Sequence, residues 1–83
     1  MSRIHPKNLK DGDVFYECEY GMSYQFKVVG DVQSTMYKDT NKERCQWQWK
    51  GISPDGREVD FLVTEGFEHY GPKLYSEPDA YVN

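Results

Sequence analysis

The side chains best suited to acid–base chemistry cluster near the C-terminal end of the chain. Glu65, Glu68, His69, Tyr70 and Lys73 fall within nine residues of one another. A histidine between carboxylates can exchange protons near neutral pH. However, the chain has neither a Gly-x-Ser-x-Gly sequence nor a phosphate-binding Gly-Lys-Ser/Thr sequence. The segment therefore offers no activated nucleophile, and we predict a protein without catalytic residues that is not an enzyme.

The soft and imidazole metal ligands are widely separated. They are Cys18, Cys45, His5 and His69. Structural zinc sites usually contain close pairs such as Cys-x-x-Cys, and this chain has none. We therefore predict no metal and no cofactor. Two thiols are too few for a disulfide scaffold, so we expect both to be reduced and buried.

Two tryptophans, Trp47 and Trp49, alternate with Gln46, Gln48 and Lys50. In a strand the two rings lie on one face and the three polar side chains on the other. Paired rings could stack on nucleobases, or they could form the core. Their predicted cross-strand partners are apolar, which favours the core. Gln46, Gln48 and Lys50 then become candidates for contact with a partner or ligand.

A long β-hairpin is predicted around the turn Ser53-Pro54-Asp55-Gly56, with strands at about 44–52 and 57–64. Pro54 presets the turn, and Gly56 tolerates positive φ. A three-residue loop sets a register that matches opposite charges and apolar groups. The predicted pairs are Lys50 with Asp60, Trp49 with Phe61, and Trp47 with Val63.

An earlier hairpin is predicted from strands at residues 14–20 and 24–28. A three-residue connection would pair Cys18 with Phe26 and place Val14 and Tyr16 on the same face as Cys18. A bulge or bend is expected at Gly30-Asp31, with the strand resuming through residues 32–36. Residues 37–43 are polar and predict a mobile loop.

The fold class follows from these strands. The 83 residues form one domain, with a turn-rich lead-in over residues 1–13 and an irregular tail over residues 65–83. The tail predicts one short edge strand around residues 73–75. No segment shows a 3.6-residue apolar period, so we expect little helix. We predict an all-β fold, a small and strongly bent antiparallel sheet or SH3-like barrel of about five strands.

Charge and hydropathy limit the partners. The formal net charge is -4, which disfavours attraction to nucleic acid or to acidic membranes. No apolar run matches a secretory signal or a membrane span, and we expect a cytoplasmic protein.

The segment Leu9-Lys10-Asp11-Gly12-Asp13-Val14 resembles the opening of many SH3-like barrels, in which an apolar residue and Gly-Asp precede the first strand. The chain as a whole is compact, acidic, aromatic-rich and without catalytic motifs. In these properties it resembles the short accessory proteins of bacteriophages and prophages. That resemblance implies a protein that acts by binding a host factor.

The functional hypothesis is a non-enzymatic binding protein that docks onto a protein partner and, as a phage accessory protein, inhibits or redirects a host defence factor. The first-choice contact residues are Tyr70, Lys73, Leu74 and Tyr75, followed by Gln46 and Gln48. One alternative is a homo-oligomer that sequesters a small anionic ligand such as a nucleotide. Another is a minor structural protein that assembles through its sheet edges.

Overall fold

A computed structural model describes residues 3–19, 22–40, 42–66 and 72–77. These residues form one five-stranded sheet in the order β4-β3-β2-β1-β5, in which every neighbouring pair is antiparallel. The elements are a 3₁₀ helix at Pro6–Asn8, β1 at Val14–Glu19, β2 at Met22–Asp39, β3 at Lys42–Ile52, β4 at Glu58–Thr64 and β5 at Leu74–Tyr75. The predicted all-β class and the five strands are confirmed. The sheet is bent but does not close into a barrel.

The β3–β4 hairpin has the predicted loop. The Ser53 amide donates to the Arg57 carbonyl at 2.9 Å, and the Gly56 amide donates to the Ser53 carbonyl at 2.9 Å. Gly56 has a φ of 89°, a conformation that glycine adopts without the steric cost of a Cβ atom. The Ser53 hydroxyl also contacts the Asp55 carboxylate. Local turn chemistry therefore sets where the hairpin reverses.

The predicted register of this hairpin is also confirmed. Trp47 pairs with Val63, Trp49 with Phe61, and Lys50 with Asp60. The ion pair that forms is nevertheless diagonal, since the Lys50 ammonium lies 3.4 Å from the Glu58 carboxylate.

The predicted register of the first hairpin is wrong. Phe15 pairs with Phe26, and Cys18 pairs with Ser23, so two residues rather than three connect β1 to β2. The core face is consequently that of Phe15, which is 0% exposed, while Val14 is 45% exposed. Burial of a whole phenyl ring against other rings outweighs the alternation of Val14, Tyr16 and Cys18 on which the prediction relied.

The bend near Gly30 is confirmed. Pairing with β3 is regular up to Val29 and resumes at Gln33 with a shifted register. Gly30 has a φ of 80°, and its amide donates to the Asp11 carboxylate at 2.8 Å. This β-bulge lets one long strand pair with β1 in its first part and continue beside β3 in its second part.

The prediction of a loop at residues 37–43 is wrong. β2 continues to Asp39 and β3 begins at Lys42, so the segment is the end of a β-hairpin rather than a loop. Thr40, in the connection, has a φ of 54°. Lys38 stands opposite Glu43 in the ladder, and unlike charges at facing positions favour this extended pairing.

The hydrophobic core lies on one face of the sheet, which is named the concave side, and the opposite face is named the convex face. Its buried members are Leu9, Phe15, Phe26, Val28, Trp49, Phe61, Val63 and Leu74. Trp49 stacks on Phe61 with ring centroids 5.3 Å apart, and Phe15 meets Phe61 edge-on at 5.2 Å. Aromatic rings in such geometries fill a small core efficiently.

The N-terminal segment crosses the concave side from β5 to β3. The Ile4 amide donates to the Leu74 carbonyl at 3.0 Å, and the His5 ring meets Trp47 edge-on at a centroid distance of 4.4 Å. Pro6 and Leu9 are buried further along the segment. The lead-in therefore covers the core.

Candidate functional site

The convex face of β3 carries three of the predicted contact residues. Because Trp49 is buried and Trp47 is half-buried on the concave side, strand alternation directs Gln46, Gln48 and Lys50 outward. Gln48 and Lys50 are exposed, and Gln46 is half-buried. The alternation that identifies the tryptophans as core residues therefore also defines the outer face.

Neighbouring strands extend this surface with further uncharged side chains. Residues directly opposite in an antiparallel ladder share a face. One row across the sheet contains Gln33, Gln48 and Leu62, and the next contains Thr35, Gln46 and Thr64. These six side chains and Val29, on the adjoining row, are together named the uncharged patch.

Contacts within and around the uncharged patch define its limits. Gln46 Nε2 donates to Thr64 Oγ1 at 3.4 Å, which links β3 to β4 inside the patch. Along one border runs the charged row of Lys50 and Asp60. At the other end Arg44 donates from Nη1 to the Glu65 carbonyl at 3.1 Å. The neutral surface is thus framed by charged groups at both ends.

The chemistry of the uncharged patch is suited to binding. Leu62 is 45% exposed and Val29 is 42% exposed, while each glutamine amide can donate and accept hydrogen bonds. The centres of protein–protein interfaces are depleted in charged residues and combine apolar area with a few hydrogen-bonding groups. Over the described ranges, no cluster of three or more His, Cys, Asp or Glu side chains could hold a metal ion.

The predicted contact residues of the tail are dispersed. Tyr75 is half-buried on β5 and stands opposite Tyr16. That register places both tyrosines on the same convex face as Gln48, with Tyr16 one strand and Tyr75 two strands beyond β2. Lys73 is exposed beside them. Tyr70 lies outside the described residues.

Leu74 occupies a position that sequence reasoning did not foresee. It is 2% exposed and belongs to the core, so its side chain is not accessible to a partner in this structure. Its role here is to anchor β5 against the concave side, where its carbonyl accepts the Ile4 amide. Tyr75 keeps the exposure that a contact residue needs.

Sequence reasoning missed Leu62, Gln33 and Thr35. Leu62 had a usable signal, because it lies between Phe61 and Val63 on a strand whose register was correctly predicted. The residues of β2 had none, since their face depends on the number of residues absorbed by the bulge after Val29.

A second concave feature is an apolar cleft between the N-terminal segment and β4. Its volume is about 270 Å³, and its walls are Arg3, Ile4, His5, Pro6, Val63, Pro72 and Leu74. His5 Nδ1 accepts a hydrogen bond from the Lys7 amide at 3.1 Å. In the neutral imidazole the proton is therefore on Nε2, which becomes a donor.

The two cysteines have different environments. Burial, and to a lesser degree the negative charge of Glu17, raises the pKa of the Cys18 thiol above its ordinary value. A buried, protonated thiol is a poor nucleophile. Cys45 is half-buried rather than buried, so the expectation of two buried thiols holds for Cys18 alone.

Comparison with protein-family models, with curated proteins and with solved structures gives no match. Within the residues that the structure describes, no helix has the length and apolar character needed to cross a membrane.

Proposed function

We propose that this chain is a non-enzymatic binding protein that docks onto a protein partner through the uncharged patch. The observation that carries the proposal is the patch itself, because its paired strand positions carry amide, hydroxyl and aliphatic side chains, and the exposed Asp31 lies beside them in the bulge between Val29 and Gln33. A chain with 29% charged residues would be expected to place charges at many of its solvent-facing strand positions. Their exclusion here favours a surface that another protein covers.

The partner surface that fits is apolar at its centre and offers hydrogen-bonding groups without net charge. An exposed charge opposite Leu62 or Val29 would lose its hydration without gaining an ion pair. Nucleic acid fits poorly, because its phosphates require basic groups and the chain has a net charge of -4. We further propose the biological setting that the small, acidic, aromatic-rich chain favours, an accessory protein of phage type that inhibits or redirects a host factor.

A single added charge tests this proposal. Gln48 is exposed at the centre of the uncharged patch, so Gln48→Glu is expected to leave the fold intact and to weaken binding at least tenfold, about 1.4 kcal/mol. The matched control is Ser34→Glu, which adds the same charge to an exposed position of β2 on the other face.

The measurement is quantitative affinity purification from extract of cells that express the protein, followed by mass spectrometry. The expected partner is retained by the wild type and by Ser34→Glu and is lost with Gln48→Glu. Circular dichroism must first show that both variants are folded. If every retained protein binds the two variants equally, the uncharged patch is not the docking surface.

The apolar cleft favours a second candidate function, binding of a small anionic ligand. Its walls include His5 and Arg3 beside apolar side chains, and a nitrogen donor and a cation in a mainly apolar wall suit a carboxylate or phosphate with an apolar body. A volume of about 270 Å³ is just below the range of about 300–1,000 Å³ that is usual for ligand pockets. A whole nucleotide would therefore need walls from a second copy.

Thermal unfolding with two probes, benzoate and adenosine monophosphate, tests the cleft. A ligand that binds only the folded state raises the unfolding midpoint by mass action. The control variant is His5→Phe, which keeps a ring beside Trp47 but removes the donor. A midpoint shift that is equal in the wild type and in His5→Phe would exclude this site.

A further inference from the structure

The two edges of the sheet differ in how well they are protected. At one edge, β5 has only two residues, and its outer side is occupied by Arg3, which forms a bridge with Tyr75. At the other edge, β4 has seven residues, Glu58–Thr64, and within the described ranges it pairs only with β3. A long edge strand presents a row of unpaired backbone groups to a further strand.

The hydrogen-bond pattern identifies which residues present those groups. Just before β4, the Arg57 carbonyl accepts a hydrogen bond from the Ser53 amide at 2.9 Å. Just after β4, the Glu65 amide donates to the Cys45 carbonyl at 2.8 Å. Hydrogen-bonded and non-hydrogen-bonded positions alternate in an antiparallel ladder. The residues whose N–H and C=O groups point away from β3 are therefore Glu58, Asp60, Leu62 and Thr64.

Within the described ranges β4 lacks several of the devices that usually protect an edge, and its charges are the two carboxylates of Glu58 and Asp60 on the convex side. It has no proline, no lysine and no bulge in its pairing with β3. Its concave-side residues, Val59, Phe61 and Val63, are apolar, so no charge points inward. Proteins that stay monomeric commonly protect a long edge with at least one of these features.

We propose that β4 pairs with β4 of a second copy of this chain, antiparallel and around a two-fold axis at Phe61. This register places Glu58 opposite Thr64, Asp60 opposite Leu62, and Val59 opposite Val63. All seven residues of the strand pair, which gives about eight backbone hydrogen bonds between the copies. The two bent sheets join into one, and each residue keeps its face.

The positions of the carboxylates on β4 favour this register, and they favour a second copy of the chain as the strand that pairs with β4. With the axis at Phe61, each carboxylate of one copy faces an uncharged side chain of the other. With the axis moved to Asp60, two carboxylates stand opposite each other, and with the axis at Leu62 the ladder is shorter. A self-complementary pattern of this kind is what an isologous two-fold interface requires.

The first experiment measures oligomeric state by sedimentation velocity over a range of protein concentrations. The wild type is expected to show a monomer–dimer equilibrium. Leu62→Pro removes an edge N–H that makes no bond to β3, so the monomer stays folded while dimerisation weakens at least about tenfold. A wild-type protein that is monomeric at about 1 mM, where dissociation constants of weak complexes lie, overturns the proposal.

The register is tested by a charge pair at the same exposed position. Leu62→Lys places ammonium groups opposite Asp60 of the second copy, whereas Leu62→Glu places carboxylates there. We expect the lysine variant to dimerise about tenfold or more tightly than the glutamate variant at low salt, and the difference to shrink at high salt. Equal dimerisation of the two variants contradicts the register.

Amide hydrogen exchange tests the proposal on the wild-type protein, so the result does not depend on whether a variant folds. In the monomer, the amides of Glu58, Asp60, Leu62 and Thr64 exchange fast, while those of Val59, Phe61 and Val63 are protected by β3. Raising the protein concentration is expected to protect the first set only. If a dimer forms without this alternating change, a different surface joins the copies and the proposal is wrong.

Discussion

Gly51 lies at the most crowded point of the core, and Gly51→Ala tests how tightly the aromatic rings pack. A Cβ atom at this position would lie 2.9 Å from Phe61 Cε2, 3.2 Å from Phe26 Cβ and 3.3 Å from Phe15 Cζ. The first distance is shorter than carbon atoms tolerate, and the other two are tight. The three rings also contact one another, so none can move away without displacing another.

Two terms of opposite sign decide the result of Gly51→Ala. Replacing glycine inside a strand removes a backbone entropy cost of about 0.5–1 kcal/mol, which stabilises the fold. Overpacking a tight core costs about 1–3 kcal/mol. We expect the second term to dominate and the variant to be destabilised by about 1–2 kcal/mol. In a domain this small that corresponds to a fall in Tm of about 4–16 °C.

Urea unfolding followed by tryptophan fluorescence measures this change, since Trp49 stacks on Phe61. A compensating variant, Phe61→Leu, removes the atom nearest to the added methyl group. The double variant should therefore be less destabilised than the sum of the single variants. A Gly51→Ala protein that is as stable as the wild type or more so would refute the packing argument.

Three further predictions follow from burial and ionisation. Phe15→Ala should cost about 3–5 kcal/mol in urea unfolding, whereas Val14→Ala should change stability by less than about 0.5 kcal/mol; the opposite order would restore the rejected register. A thiol reagent should modify Cys45 in the native protein and Cys18 only after unfolding, because Cys18 is buried and its raised pKa keeps it protonated; equal rates would contradict its burial. The hydrogen bond from the Ser53 hydroxyl lowers the pKa of the Asp55 carboxyl. The stability that this hydrogen bond contributes is therefore present above the ordinary pKa of 3.8 and is lost as pH falls through the lower folded-state pKa. In a series of unfolding measurements between about pH 6 and pH 2, the free energy of unfolding of Asp55→Asn should fall less with decreasing pH than that of the wild type.

The sequence was sufficient where a local feature sets the geometry. Pro54 and Gly56 specify the turn of the β3–β4 hairpin, and the turn then sets the register of both strands. That register in turn places Gln46 and Gln48 on the convex face. Gln46 and Gln48 could therefore be predicted as surface residues because their orientation follows from the turn at Pro54 and Gly56.

Nonlocal packing explains the errors in the first hairpin. The predicted register was chosen from pairs within β1 and β2, but Phe15 is buried by Phe61 of β4. No pattern within two neighbouring strands reports a partner from a strand so distant in the sequence. The buried position of Leu74 has the same origin, since it packs in a core to which every strand contributes.

Polar composition explains the error at residues 37–43. Hydrophilic side chains are common in loops, but they are equally suited to a two-stranded ladder with water on both faces. Lys38 and Glu43 face each other in that ladder, and Thr40 lies in the reversal. A charge pair of this kind indicates register only once the turn is located, and a threonine with positive φ is an uncommon turn residue.

The proposed docking surface and the proposed dimer interface meet at Leu62. Its side chain belongs to the uncharged patch, and its backbone groups point to the free edge of β4. A two-fold axis perpendicular to the joined sheet keeps both patches on one side, so one partner molecule could contact both copies and bind with increased avidity. Substitutions on β3 separate the two proposals. Gln48→Glu changes the patch on β3, which is not part of the proposed dimer ladder, and should leave the monomer–dimer equilibrium unchanged. Leu62→Pro should weaken both dimerisation and avid binding.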